Sequence, residues 1–377
     1  MYKNDFVFLL LLFLGIGFSA CSNDKVPDED DMIILEGKVR IQDTFEIRKG
    51  MELHIRPGSE VTFAPGALFV AHGNLYIEGT EDEPIRLIAE DPIEDHRIIQ
   101  TKSGCKIFRL KHTKVIDGLI TSYLTDNHFQ YVTFSNSQKL KWNDAVARFW
   151  YGKILIEDCL VEWNNQGEGL LLHNVQSPIV RNCVFKKVPD AIEFLHCKNG
   201  IILGNHFQDM NDDGVDQNHC FNTLIKDNVF INVNDRALEL GSESFGSSDS
   251  LFVINNLFVD CKVAINVKES SFAIVENATF YNNEISLDIY THEDSSRVSK
   301  AEMIRSVVVK SELPASVNPR SIAVLSDCLS DEMLPEGTNN LVSNVEFQDV
   351  LNYDFTIISS SFPLGTTAET IGYQPPK

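Results

Sequence analysis

Phenylalanine recurs through the middle of this chain at an interval too short for most helical repeats, and that interval limits what the chain can fold into. Phe185, Phe207, Phe230, Phe258 and Phe280 follow one another at 22, 23, 28 and 22 residues, and Val161 and Phe134 extend the series by a further 24 and 27. Each unit has one grammar: Asn or Asp, a short spacer, Phe, a stretch of eight or nine residues, then a small-apolar-acidic triplet. The segments between corners are short, β-branched or aromatic, and alternate in polarity, as in Ala237-Leu238-Glu239-Leu240 and Ala264-Ile265-Asn266-Val267. No stretch carries helical periodicity. Short strands at fixed spacing satisfy their backbones by pairing with the equivalent strand one coil away, so equivalent residues stack in ladders. The sequence predicts an inner Phe ladder and an Asn ladder of Asn182, Asn205, Asn228, Asn256 and Asn277 that wanders by one position.

The ends of the repeat are readable too. Leu53 to Phe63, with Pro57-Gly58 as a turn, and Leu75 to Thr80 alternate cleanly and form the entry coils. Tyr353 to Ile357, Phe362 to Gly365 and Ile371 to Tyr373 look like closing coils. One domain is expected from Met32 to the C-terminal end, its last element near Tyr373, with irregular excursions near 90–128, 241–250 and 311–345.

With these residues assigned, the whole mature part resembles bacterial right-handed parallel β-helix proteins of the pectate-lyase-like superfamily, an all-β, single-stranded solenoid. Asn211-Asp212-Asp213-Gly214-Val215-Asp216, Asn234 to Gly241 and Val263 to Ser271 look most like the β-helix region found beside CotH-type kinase-like domains, although no kinase-like part is present. The resemblance implies a fold that hosts lyases, hydrolases, epimerases, adhesins and inert scaffolds, so function has to come from the site.

Ahead of the repeat, Lys3, the apolar run Phe6 to Phe18, and Ser19-Ala20 before Cys21 have the layout of a secretory signal, residues 1–20. A cysteine at the cleavage point suggests a lipobox with Cys21 as the lipid attachment site, despite Phe18 where such boxes prefer Leu; ordinary signal-peptidase cleavage and an uncleaved anchor are the alternatives. Residues 21–31 are polar and acidic, the composition of a tether. The expected product is an exported, outer-membrane-anchored lipoprotein on the cell surface or periplasmic face, monomeric and held to the membrane by its N-terminal lipid. Its formal charge of −22 argues against nucleic acid and other polyanions as unaided partners. Neutral polysaccharide, or an acidic one bridged by a divalent cation, is compatible.

Aligning coils on Phe puts Leu171, Glu193, Asp216, Glu239, Asn266 and Asp288 in one outward column, and Glu168, Asp190, Asp213 and Arg236 in a second, three residues earlier. Neighbouring strands lie ~4.8 Å apart, so these acids either share protons or a cation, or splay into water. The metal reading is a calcium site at Asp190, Glu193, Asp213 and Asp216, since calcium takes hard oxygen ligands at flexible distances. The catalytic candidates are Asp213, Asp216, Glu239, Arg236 and Lys268. A lyase needs a cation against the uronate and a base beside it, for which Lys268, Arg236 and His219 are available, Lys268 lying two coils or ~10 Å from Asp216. A glycoside hydrolase needs only two carboxylates. Asn211 to Gly214 resembles a polygalacturonase motif, but the Gly-His-Gly and Arg-Ile-Lys signatures of those enzymes are missing. A noncatalytic surface module, or an accessory to another envelope protein, needs none of this chemistry.

Three further features leave alternatives open. His196-Cys197 and His219-Cys220 recur 23 residues apart, as a transition-metal site if a turn lets all four converge, or as a His stack beside a Cys stack. Cys159 and Cys183 fall one coil apart, as a disulfide or a thiol ladder. Gln217 aligns with inward residues, and its amide is expected to hydrogen-bond within the stack or to hold Asp216. Aromatics for sugar stacking are few: Tyr290, with Trp142, Trp150 and Trp163 earlier in the chain.

Overall fold

The structure is a computed structural model that describes residues 31–376 except 92–95, 138–143, 165–166, 243–245, 294–296 and 336. The expected signal, the Cys21 attachment site, all but the last residue of the tether, and Trp142 lie outside the described residues. Between Met32 and Val342 the chain winds as a parallel β-solenoid of about twelve coils, one for each strand of its 12-stranded sheet. That sheet runs from Phe45–Ile47 through Glu168–His173, Asp190–Leu195, Val215–Asn218, Arg236–Leu240 and Val263–Val267 to Ser316–Val317. A 26-stranded sheet wraps the other sides. The only helical element among the described residues is a 3-10 turn at Val350–Asn352.

The predicted register holds residue for residue. Leu171, Glu193, Asp216, Glu239, Asn266 and Asp288 are successive partners across the 12-stranded sheet. Phe185, Phe207, Phe230, Phe258 and Phe280 are successive partners on another side of the coil. Their rings are fully buried and nearly parallel, with centroids 5.1, 4.5, 5.0 and 5.1 Å apart. Parallel stacking at these distances is repeated from coil to coil because the strand spacing sets it.

The wandering Asn series resolves into two ladders one residue apart. Asn205, Asn228 and Asn256 point inward: the Oδ1 of Asn228 accepts the Asn205 N–H at 2.9 Å, and that of Asn256 accepts the Asn228 N–H at 2.9 Å. Asn182, Asp227, Asn255 and Asn277 instead hold the left-handed corner at φ of 53 to 57°, a conformation Asn and Asp tolerate best among residues with a Cβ. Cys159 and Cys183 occupy the inner ladder below Asn205, both buried with free thiols, so the pair is a thiol ladder and not a disulfide.

Two regions depart from expectation. Residues 97–123 are regular coil, with strands Arg97–Thr101, Ile107–Ile116 and Leu119–Tyr123, where an excursion was predicted; their inward positions include the polar Thr101, Thr113 and Ser122, which interrupt the apolar pattern. The C-terminal segment does not close the helix with further coils. Glu346–Asp349 and Asp354–Ser359 form an antiparallel pair, whose Phe347 and Phe355 pack against Tyr281 on the outside of the 26-stranded sheet. The strap then runs back to hydrogen-bond Tyr373 N–H to Thr279 Oγ1 and Gln374 N–H to Asn255 Oδ1.

Candidate functional site: an acidic row on the 12-stranded sheet

On each site coil a small residue, Ala191, Gly214 or Ala237, precedes an inward apolar one and then the outward acid. The small residue is a steric requirement: a Cβ at Gly214 would sit 2.6 Å from the Ala237 carbonyl and 2.9 Å from the Phe230 ring. The Phe stack therefore fixes where the strand runs, and strand alternation aims the next acid outward.

The two predicted columns come together as one crowded patch. The second column is also a hydrogen-bonded ladder: Asp190 Oδ1 accepts the Asp213 N–H at 2.8 Å, and Asp213 Oδ1 accepts the Arg236 N–H at 2.9 Å. Glu239, only 7% exposed, lies between two cations. Arg236 Nη1 approaches one carboxylate oxygen at 2.7 Å and Lys268 forms an ion pair with the other. Lys268 reaches it from the next coil because the turn from Lys268 to Ser271 crosses directly over Gly241, where a Cβ would lie 2.4 Å from the Lys268 carbonyl. Asn218 Nδ2 donates to both Asp216 Oδ2 (2.6 Å) and Glu193 Oε1 (3.2 Å). The other Asp216 oxygen has no hydrogen-bond partner.

This crowding keeps protons on the patch. Burial raises Asp213 and Asp216 well above the ordinary aspartate range, and Glu239 beside them pushes in the same direction. Burial also lifts Asp190 to about 7 and Glu168 to about 8, against the ladder N–H that favours the Asp190 carboxylate. Glu193 is raised by burial, with Asn218 and Arg148 opposing.

Two groups of carboxylates approach metal-ligand spacing: Asp190, Asp212 and Asp213, and Asp213, Asp216 and Glu239, each offering oxygens within 4.8 Å of one another. Glu193 belongs to neither group. Sequence reasoning missed Asp212, which follows Asn211 on the exposed corner, and Arg148, which continues the outward column one coil below Leu171 and binds Asp144 at 3.0 Å. Extending the column by one coil identifies Arg148; nothing in the repeat marks Asp212 out from its neighbours.

The remaining expectations resolve plainly. The His-Cys pairs do not form a four-ligand site: His196 and His219 meet edge to face on the outside, 5.0 Å apart, while Cys197 and Cys220 point inward and donate to the Leu172 and Phe194 carbonyls at 3.2 Å. A turn does intervene, with φ of 56° at His196 and 52° at His219, and it separates the ligands. The Gln217 amide is fully buried with neither atom hydrogen-bonded, so the expected partner within the stack is absent. It faces inward, away from Asp216.

The sequence also understated the aromatics. Two residues past the acid column, on the same face, Tyr123, Trp150, His173, Leu195 and Asn218 are successive partners. The Trp150 and His173 rings lie 4.1 Å apart. On the far side of the acids Tyr290, 37% exposed, follows the paired Ile289. The acid row is thus flanked along the helix axis by ring steps.

Residues 120–285 match the family model for a right handed beta helix region. No curated protein matches. Among solved structures, a doubly substituted form of the periplasmic alginate epimerase AlgG is similar at TM-score 0.50 and 13% identity, over 84% of this chain and 79% of that one. The PL6 family alginate lyase AlyGC is similar at TM-score 0.46 and 11% identity, over 91% of this chain and 53% of that one. PfbA, a surface adhesin of Streptococcus pneumoniae, is similar at 0.36 and 12%, over 83% of each. The likeness to the epimerase is one of fold.

Proposed function

We propose that this protein binds polysaccharide along the outer face of its 12-stranded sheet and cleaves it with the Asp216–Glu239 pair. The observation that carries the reading is the opposite setting of these two neighbouring acids. Asp216 is driven toward its protonated form by burial and by the Glu239, Glu193 and Asp213 charges; Glu239 is ion-paired on both oxygens, to Arg236 and Lys268. Two carboxyls whose environments differ in this way suit the acid and the nucleophile of a glycosidase. One oxygen of each lies within 4.8 Å of the other, which places the pair on the near side of the ~5 Å retaining geometry and excludes the wider inverting one. Asp216 would give its proton to the leaving glycosidic oxygen while the Glu239 carboxylate bonds to the anomeric carbon. Water deprotonated by Asp216 would then release the sugar.

Trp150 and His173 on one side and Tyr290 on the other offer flat apolar faces to a linear chain lying along the axis. A patch this rich in acids favours a neutral glycan over a uronate polymer. Cys21 acylation would hold the rod at the outer membrane, facing glycan outside the cell.

Incubation with a panel of neutral and acidic polysaccharides, with and without calcium, tests the reading. New reducing ends that vanish in Asp216→Asn and Glu239→Gln, with turnover reduced by about 10²-fold or more, support it. Unsaturated products point to a lyase, and retention without products to a binding module; either outcome overturns the hydrolase. A second reading, calcium at Asp213, Asp216 and Glu239 with Asp190 and Glu193 nearby, rests on the unpartnered Asp216 oxygen and the hard-oxygen ligand set. Calorimetry without calcium-dependent heat removes it.

A further inference from the structure

Beside the acidic row, at the corner where the chain leaves the 26-stranded sheet and enters the site strands, lies a groove of about 350 Å³. That volume falls in the range of small-molecule sites. Its walls are Trp163, Asn164, Lys187, Asp209, Asn211, Asn232 and Asn234. Three observations characterise this groove, whose Trp163 shares a left-handed corner conformation with Tyr131 and Tyr151. Trp163 holds φ at 62°, a conformation that is rare for a bulky side chain, and in it the indole stands 49% exposed. The Lys187 ammonium sits 4.0 Å over that ring and fixes one wall. The lining carries four amides but only one cation and one anion, and Asp209 already accepts from Asn232 Nδ2 at 2.8 Å.

A flat ring facing neutral amides is the chemistry that recognises a neutral sugar: the ring takes the apolar C–H face, and the amides supply paired donors and acceptors for vicinal hydroxyls. Asn211 and Asn234 each stand two residues before a member of the second column, Asp213 and Arg236. A glycosyl branch on a backbone lying along the acids would therefore project into the groove.

We propose that the Trp163 groove is a second glycan subsite, binding a neutral glycosyl side branch of the polysaccharide whose backbone lies on the acidic row. This rests on the proposed function for its setting, but the groove recognises sugar by its own residues.

The test uses three branched neutral polysaccharides, galactomannan, arabinoxylan and xyloglucan, each beside its debranched backbone. Affinity electrophoresis reads retention, and the Trp163 indole N–H resonance, assigned with Trp163→Phe, reads occupancy of the groove. The expected result is a Trp163 shift with at least one branched polymer and not with its bare backbone. Trp163→Ala should weaken that retention by about tenfold, with Trp163→Phe largely restoring it and Asp216→Asn leaving the shift intact. A Trp163 resonance unmoved by every polymer, or equal shifts with the bare backbones, overturns the branch subsite whatever the acidic row does. A Trp163 shift that persists while no reducing ends form in any case sinks the hydrolase and leaves the groove standing.

Discussion

Asn205, Asn228 and Asn256 line the inside of one corner, and Asp190 and Asp213 line the start of the site strands; both sets accept the N–H of the next coil through a side-chain oxygen. The amide ladder also uses its nitrogens: Asn205 Nδ2 donates to Asn228 Oδ1 at 3.1 Å and Asn228 Nδ2 to Asn256 Oδ1 at 3.0 Å, so nothing is left over. The aspartates do the same backbone work with a group that has no donor and carries a charge when ionised. Buried and crowded by Glu239, both are raised above the ordinary aspartate range, Asp190 to about 7. An amide ladder is complete in itself, whereas a carboxylate ladder stays reactive toward protons and cations. The first builds the rod and the second builds the site.

The sharpest way to break this contrast is to remove one rung from the inner ladder. Asn228→Ala leaves the Asn205 N–H unpartnered in a dry interior and its side-chain amide with the Val180 carbonyl alone, and should cost about 3 kcal/mol, read by denaturant unfolding. Asn228→Asp keeps the acceptor but imports the outer ladder's problem. Its loss should be larger at pH 8 than at pH 5, and an equal loss at both would mean the two ladders differ in something other than charge.

The converse substitution should go the other way. Asp213→Asn preserves the oxygen that accepts the Arg236 N–H and removes a charge crowded by Glu239 and Asp190. We expect a gain on the order of 1 kcal/mol at pH 8 and a smaller one at pH 5, because burial and Glu239 raise the aspartate pKa and its charge is lost as pH falls. Destabilisation at both pH values would show that the carboxylate is held by something stronger than the ladder.

The pH dependence of the wild type sharpens the same point. Glu168 and Asp190 have folded pKa values raised to about 8 and about 7, so between roughly pH 4 and those values the folded chain binds more protons than the unfolded chain. Stability should therefore fall as pH rises through that window and level off above it. The thermal midpoint measured from pH 5 to 9 checks the sign, and the slope should shrink in Glu168→Gln and Asp190→Asn. A midpoint that rises over the window sinks the account.

The smallest effect concerns the thiols of the inner ladders. Burial raises Cys105 to about 11, Cys261 to about 12 and Cys328 to about 11, so a thiol reagent at pH 8 should label none of the seven described cysteines before unfolding and all seven after it. Rapid labelling of Cys159 or Cys183 in the native protein would show that corner to be open.

How much of the site was readable follows from the same geometry. The column Glu193, Asp216, Glu239 was legible because side chains repeat with the coil, and a ladder needs only the period and one anchor, the Phe series. Arg148 was equally legible in principle, one coil further along. The groove at Trp163 was not, because its residues sit at corners, where spacing between coils varies and a left-handed φ decides which way a side chain faces.

The sequence by itself determined the solenoid, its register and the outward column of acids, since strand alternation and stacking are local rules applied at a constant interval. Only the tertiary structure decided that Lys268 reaches back to Glu239, that Asp216 keeps an unpartnered oxygen, and that the C-terminal strands lie along the rod instead of capping it. Those outcomes depend on where corners bend and on what the neighbouring coil leaves uncovered, and neither is written in a period.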